Sequence, residues 1–125
     1  MMTGAALFAA DKIDISKLPP PSSKQGVTYA TDIKPIFDHS CTKCHSGKKP
    51  KARLNLSTLE GALKGAKHGK VIEPGNSTKS ILILNVAHLG KKDHWMPPPH
   101  NKAHIAPLTA EQIGLLRAWI DQGAK

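Results

Sequence analysis

The chain has 125 residues, enough for one domain with a modest core. Only 39% of the residues are hydrophobic and 4% aromatic, so a large apolar cofactor could complete the core, although long polar loops would give the same percentages. The net charge of +9 indicates either an anionic partner or simply a solvated surface, and no stretch is long and apolar enough to span a membrane.

The N-terminal region divides into two short segments ahead of the domain. Residues 1–10 are small and apolar and end in two alanines before Asp11, as the end of a secretory signal peptide does. We interpret 1–10 as a signal-peptide remnant, with a terminus of no function as the alternative, since no basic residue precedes Asp11. The prolines and serines of 19–23 predict that 11–27 is an extended tether, or a segment lying on the surface, before a domain over 28–125.

Apolar residues at helical spacing predict about four short helices joined by long loops. The first begins near Ala30 and runs into Cys41, with Thr31 or Asp32 as its N-cap. A capping box formed by Ser57 and Glu60 starts the second.

Two further helices follow in the second half of the chain. Ser77 is positioned to cap the third helix, which holds several aliphatic residues between 81 and 86. A capping box over 109–112 starts the last helix, whose apolar face is followed by Gly123 as a C-cap. The fold class is therefore all-α, and loops this long suit a chain that wraps a cofactor.

The sequence Cys41-Thr42-Lys43-Cys44-His45 is a C-x-x-C-H motif, the attachment signature of c-type haem. Two thiols at this spacing add to the two vinyl groups on one porphyrin edge, and the adjacent histidine binds the iron as the proximal ligand. Three alternatives stay open. The first is a zinc site using Cys41, Cys44 and two of the seven histidines, and the second is a chance occurrence of the motif. The third is a redox dithiol, which normally lies beside a βαβ pattern that this sequence does not show.

Met96 is the expected sixth ligand of such an iron, because the other two methionines are Met1 and Met2. The prolines at 97–99 stiffen the segment and restrict Met96 to extended geometry. Met96 as a core filler is the plain alternative. A bis-histidine haem would instead use one of His88, His94, His100 and His104, and an open sixth position would make the domain a gas or ligand sensor.

These features together resemble the planctomycete-type cytochrome c domain, a relative of class I cytochromes c, over about residues 27–125. The matching elements, in chain order, are Asp32-Ile33-Lys34-Pro35-Ile36-Phe37, the haem motif, Ala52-Arg53-Leu54-Asn55-Leu56, Val71-Ile72-Glu73-Pro74-Gly75-Asn76, Lys79-Ser80-Ile81-Leu82, Met96-Pro97-Pro98, and Leu108-Thr109 through Trp119-Ile120 to Gly123-Ala124. The chain departs from the family at Lys51-Ala52, where glycines are common.

The resemblance implies a class I-like fold around one covalent haem c, with His45 and Met96 as axial ligands and crossing first and last helices. The predicted function is electron transfer rather than catalysis. Arg53 is the candidate partner of a haem propionate, since arginine binds carboxylates bidentately. Covalent haem attachment implies export, so we expect a periplasmic protein, with or without membrane tethering.

The basic residues concentrate after the haem motif and predict a positive face that docks an acidic redox protein. They are Lys43, Lys48, Lys49, Lys51, Arg53, Lys64, Lys67 and Lys70. Nucleic acid is not an expected partner, because aromatics are sparse and no nucleic-acid-binding pattern occurs.

Overall fold

The computed structural model describes residues 13–42, 45, 51–102 and 104–125. Within these ranges the chain is helical without β-strands, as the sequence predicts, and short 3-10 or π-helical turns connect the α-helices. The α-helices are α1 (Lys34–Ser40), α2 (Leu59–Lys64), α3 (Ile81–Val86) and α4 (Ala110–Asp121). No helix in the described part of the chain is long and apolar enough to cross a membrane.

The first helix begins earlier than its apolar pattern suggests, with a π-helical turn over Tyr29–Ile33 that leads directly into α1. The hydroxyl of Thr28 caps this turn by accepting the N–H of Thr31, so the prediction of Thr31 or Asp32 as the N-cap is wrong. Asp32 instead accepts the N–H of Thr28 at 3.0 Å. A cap must precede the first helical residue, and the π-helical turn moves that position back to 28.

The N-cap of α2 also differs from the prediction by one residue. Thr58, rather than Ser57, accepts a helical N–H, that of Gly61 at 3.0 Å. Ser57 donates its hydroxyl to the side chain of Asn55 and is therefore already engaged in the preceding turn. The helix ends at Lys64, and Gly65 follows as its C-cap with a φ of 96°, which glycine adopts without strain.

The third helix follows a 3-10 turn over Ser77–Lys79 and has Ser80, not Ser77, at its N-cap position. Ser77 lies in the turn and binds Asp121 at the end of α4 through both its backbone N–H and its hydroxyl. The predicted capping box at the start of α4 is confirmed, with Thr109 and Gln112 each accepting the other's backbone N–H.

Three aromatic rings lie at the centre of the core. Tyr29, Phe37 and Trp119 pack with ring centroids 6.1–6.2 Å apart, and the rings of Phe37 and Trp119 meet edge to face. The contacts join the π-helical turn and α1 to α4, so the beginning and the end of the domain pack against each other.

The segment 13–27 is mostly extended and packs along α4. Leu18 and Val27 are buried, and the guanidinium of Arg117 donates to the carbonyl of Pro19 at 2.6 Å. The N–H of Ser22 donates to the carbonyl of Gly114 at 2.9 Å. The role of this segment as a tether remains a prediction; residues 1–10, the expected signal remnant, lie outside the described residues.

Candidate cofactor site

Cys41 lies at the C-terminal end of α1 and is buried, with 8% of its surface exposed. Its N–H donates to the carbonyl of Phe37 at 2.7 Å, which places it one step beyond the helix and beside the aromatic core. The helix thus positions the first thiol of the C-x-x-C-H motif. Cys44, the second thiol, lies outside the described residues.

The backbone of His45 is held at both ends, and its ring is fixed as well. Its N–H donates to the carbonyl of Cys41 at 3.1 Å, and its carbonyl accepts the N–H of Leu56 at 2.7 Å. The ring nitrogen Nδ1 lies 2.9 Å from the carbonyl of Lys51. A carbonyl can only accept, so Nδ1 carries the proton and Nε2 keeps its lone pair for a metal.

The environment of His45 also keeps its imidazole neutral. Burial lowers the pKa of His45, although the backbone carbonyls of Lys51 and Leu54 act in the opposite direction. The neutral imidazole is the form that ligates metals. The bond from Nδ1 to Lys51 and the lowered pKa are those of a metal-ligating histidine, and ligation of iron by His45 remains a prediction.

Met96 lies later in the chain than the haem motif, and its backbone contacts the end of α3. Its N–H donates to the carbonyl of Asn85 at 3.0 Å, and its side chain is partly buried against the core. The sequence does not indicate the role of Asn85, because every residue has a backbone carbonyl and residue type does not show which one accepts. Ligation by Met96 remains a prediction.

The rival histidines divide into two groups. His94, His100 and His104 are exposed. His88 is partly buried, stacks on Trp95 with centroids 4.9 Å apart, and lies 3.1 Å through Nε2 from the carbonyl of Pro97. Its ring is thus engaged with the residues that flank Met96.

Arg53 is exposed and follows Ala52 in the left-handed region, with φ angles of 60° and 57°. It lines a cavity of about 680 Å³ together with Glu60, Lys64 and Lys67. An exposed arginine among other cations is accessible to an anionic group. Its pairing with a haem propionate stays a prediction.

Eight apolar side chains are candidates, from their positions in the sequence, for the wall of a haem site, and all of them belong to one buried core cluster. They are Ile33, Ile36, Phe37, Leu54, Leu56, Leu82, Leu116 and Trp119. Ile36 also lines a groove beside the prolines of 19–21 and the start of α4. Burial of the set is confirmed; contact with a haem remains a prediction.

The donor residues of the motif are of the types that a c-type haem requires. In the described residues, no three histidine, cysteine or acidic side chains gather to hold a metal. A haem iron needs only axial ligands from the protein, and the imidazole of His45 is the predicted proximal ligand. Cys41 and Cys44 would hold the porphyrin edge, and the thioether sulfur of Met96 is the predicted donor for the sixth position.

An all-α fold, a C-x-x-C-H motif and an oriented, neutral proximal histidine are the features of c-type cytochromes. Residues 41–100 match the family described as planctomycete cytochrome C, and this match supports a planctomycete-type cytochrome c domain in that part of the chain. The match begins after α1 and ends before α4. Neither a curated protein nor a solved structure matches the chain. The family implies a covalently bound haem c and, in general, electron carriage rather than catalysis.

Proposed function

We propose that this protein is a monohaem c-type cytochrome that transfers electrons, with thioether bonds at Cys41 and Cys44 and axial ligation by His45 and Met96. The observation that carries the proposal is the buried imidazole of His45, whose Nδ1 is held by the carbonyl of Lys51. When bound, the haem would supply reversible one-electron chemistry at its iron.

The chain's own residues would set the properties of that site. The carbonyl of Lys51 fixes the orientation of the proximal imidazole and makes Nε2 a stronger electron-pair donor to a metal. The buried aromatic and aliphatic side chains around Phe37 and Trp119 exclude water, and a low dielectric disfavours the extra positive charge of the oxidised state. Both effects suit a carrier that changes charge without changing ligands.

The basic face supports docking to an acidic redox protein. Lys51, Arg53, Lys64, Lys67 and Lys70 are all exposed, and Glu60 is the only acidic residue between 43 and 70. Opposite charge on a partner would accelerate encounter, and salt would screen it. Electron exchange with an acidic partner should therefore slow as salt rises; the same rate in low and high salt would reject this docking mode.

Export to the periplasm follows from the proposed haem attachment, because c-type haem is attached outside the bacterial cytoplasm. The apolar start of the chain is compatible with a signal remnant. Fractionation of cells that produce the protein would test this: haem-containing protein in the periplasmic fraction supports export, and its retention in the cytoplasm contradicts it.

Absorption spectra of the purified protein test the proposed ligation. Protein made in cells able to attach c-type haem should keep its haem after denaturation, show a c-type reduced spectrum, and show the weak charge-transfer band of methionine bound to ferric iron. The reduced unaltered protein should not bind carbon monoxide, whereas the reduced Met96→Ala variant should bind it. Carbon monoxide binding by the unaltered protein would support the sensor alternative, and zinc without haem would support a zinc-binding interaction module built on the alternative zinc site.

A further inference from the structure

We propose that His88 is a positioning residue for the sixth ligand, holding the backbone on both sides of Met96 so that its sulfur stays at the iron. This inference rests on the proposed ligation by Met96. The residues concerned begin at the end of α3, where the chain turns sharply after Ala87.

His88 occupies the left-handed position of that turn, with a φ of 56°. The N–H of Leu89 donates across the turn to the carbonyl of Leu84 at 3.0 Å. Glycine is the usual residue at such a helix end because it adopts positive φ without strain. A histidine here accepts that strain, and strain of this kind persists where the side chain or its surroundings require the conformation.

The imidazole of His88 contacts both neighbours of Met96. Its ring is nearly parallel to that of Trp95, with an interplanar angle of 6° and a centroid distance of 4.9 Å. Its Nε2–H donates to the carbonyl of Pro97 at 3.1 Å, since a carbonyl can only accept. One side chain therefore fixes the residue before the methionine and the residue after it.

Two further hydrogen bonds to backbone carbonyls complete this attachment. We call the whole arrangement the methionine clamp; it consists of His88, Trp95 and Pro97 together with the carbonyl acceptors of Asn85 and Gly90. The N–H of Met96 itself donates to the carbonyl of Asn85 at 3.0 Å. The indole N–H of Trp95 donates to the carbonyl of Gly90 at 3.3 Å. Every anchor lies between 85 and 90, so the end of α3 determines where Met96 is held.

A ligand of fixed position binds more tightly than a mobile one, because less freedom is lost when it coordinates. Removal of the clamp should make the sixth position easier to enter for an external ligand. The probe is imidazole, added to the oxidised holoprotein at a temperature where all variants are fully folded. The readouts are its apparent affinity and the loss of the methionine charge-transfer band.

His88→Asn is the first variant, because asparagine tolerates positive φ but cannot stack on an indole. Loss of the stack and of the bond to Pro97 should raise imidazole affinity about 10-fold or more. His104→Asn is the matched control, an exposed histidine in the same loop with a φ of 55°. It should keep the affinity of the unaltered protein.

Trp95→Leu provides a second test that does not depend on the folding of the first variant. It removes the stacking partner and the long indole bond to Gly90 but keeps the hydrogen bond from His88 to Pro97, which adjoins Met96, so a smaller rise, about 3- to 10-fold, is expected. Unchanged affinity in either folded variant, or equal rises in His88→Asn and His104→Asn, would overturn the clamp. If the unaltered protein lacks the charge-transfer band, the proposed ligation itself fails, which is a different result.

Discussion

The backbone of Gly114, in the middle of α4, lies so close to Pro20 that a Cβ at residue 114 would stand 2.6 Å from the Pro20 carbonyl oxygen. The same glycine accepts the N–H of Ser22 at 2.9 Å. The helix and the N-terminal segment can therefore meet at this distance only if residue 114 has no side chain.

Gly114→Ala should destabilise the protein or release the N-terminal segment. Alanine favours a helix interior by about 1 kcal/mol, but overpacking against backbone costs about 1–3 kcal/mol. Denaturant unfolding of the haem-loaded protein and protease sensitivity of 13–27 measure the two effects. Glu111→Ala, an exposed change in the same helix, should do neither. A more stable Gly114→Ala variant with a protected segment would contradict the close contact.

Tyr29→Phe should cost about 1–2 kcal/mol of stability, because it leaves a buried carbonyl without its hydrogen bond. The hydroxyl of Tyr29 donates to the carbonyl of Leu56 at 2.8 Å, and the N–H of Leu56 in turn donates to the carbonyl of His45. We expect a lower denaturation midpoint together with a shifted reduction potential. A variant with both values unchanged would show that this bond does not support the site.

Removal of the hydroxyl at the α4 capping box should also lower stability. Thr109→Ala removes the acceptor of the Gln112 N–H, which lies 3.1 Å from the hydroxyl, and such losses cost about 1 kcal/mol. Thr109→Ser keeps the hydroxyl and is the control, expected to stay close to the unaltered protein. Thermal or denaturant unfolding of the three proteins measures the difference; equal losses in both variants would assign the effect to the methyl group.

Asp32 should make stability depend on pH in the acid range. Hydrogen bonds from Lys24 and then from the N–H of Thr28 lower the pKa of its carboxyl below the ordinary 3.8. The unfolded chain therefore binds more protons in that range, and the contribution present above pH 3.8 is lost as the pH falls.

Asp32→Asn tests this dependence by unfolding at several pH values. It should be less stable than the unaltered protein at neutral pH, and the difference should shrink below pH 4, where the carboxyl of the unaltered protein protonates. Asp38→Asn removes an exposed pair with Lys34 and should change little. A constant deficit for Asp32→Asn at every pH would contradict the charge-based explanation.

The sequence predicted those parts of the molecule that depend on spacing within a few residues. The capping box at Thr109 and the buried apolar residues both follow from local spacing. The cap at Thr58 was missed because Ser57 and Thr58 carry the same hydroxyl, and only the bond from Ser57 to Asn55 decides between them.

The parts that could not be predicted depend on backbone atoms distant in sequence or on ring orientation. The carbonyl of Lys51 orients His45, and the carbonyl of Asn85 holds Met96, yet every residue type offers a carbonyl. The stack of His88 on Trp95 depends on the left-handed conformation of His88, which no pattern of residues in the sequence predicts. The motif thus indicated the chemistry, while the supports of the ligands required the structure.

The attachment of the N-terminal segment to α4 has a consequence for sequence variation. Arg117 and Gln122 donate to carbonyls of the segment, at Pro19 and Lys24, and Gly114 accepts a backbone N–H. On the helix side, these contacts depend on the side chains of Arg117 and Gln122 and on the absence of a side chain at Gly114. On the segment side, the same contacts are made by backbone atoms. Substitutions at the exposed positions Pro21, Ser23 and Gln25 can therefore accumulate while the path of the segment is kept, but the three C-terminal positions cannot vary in the same way.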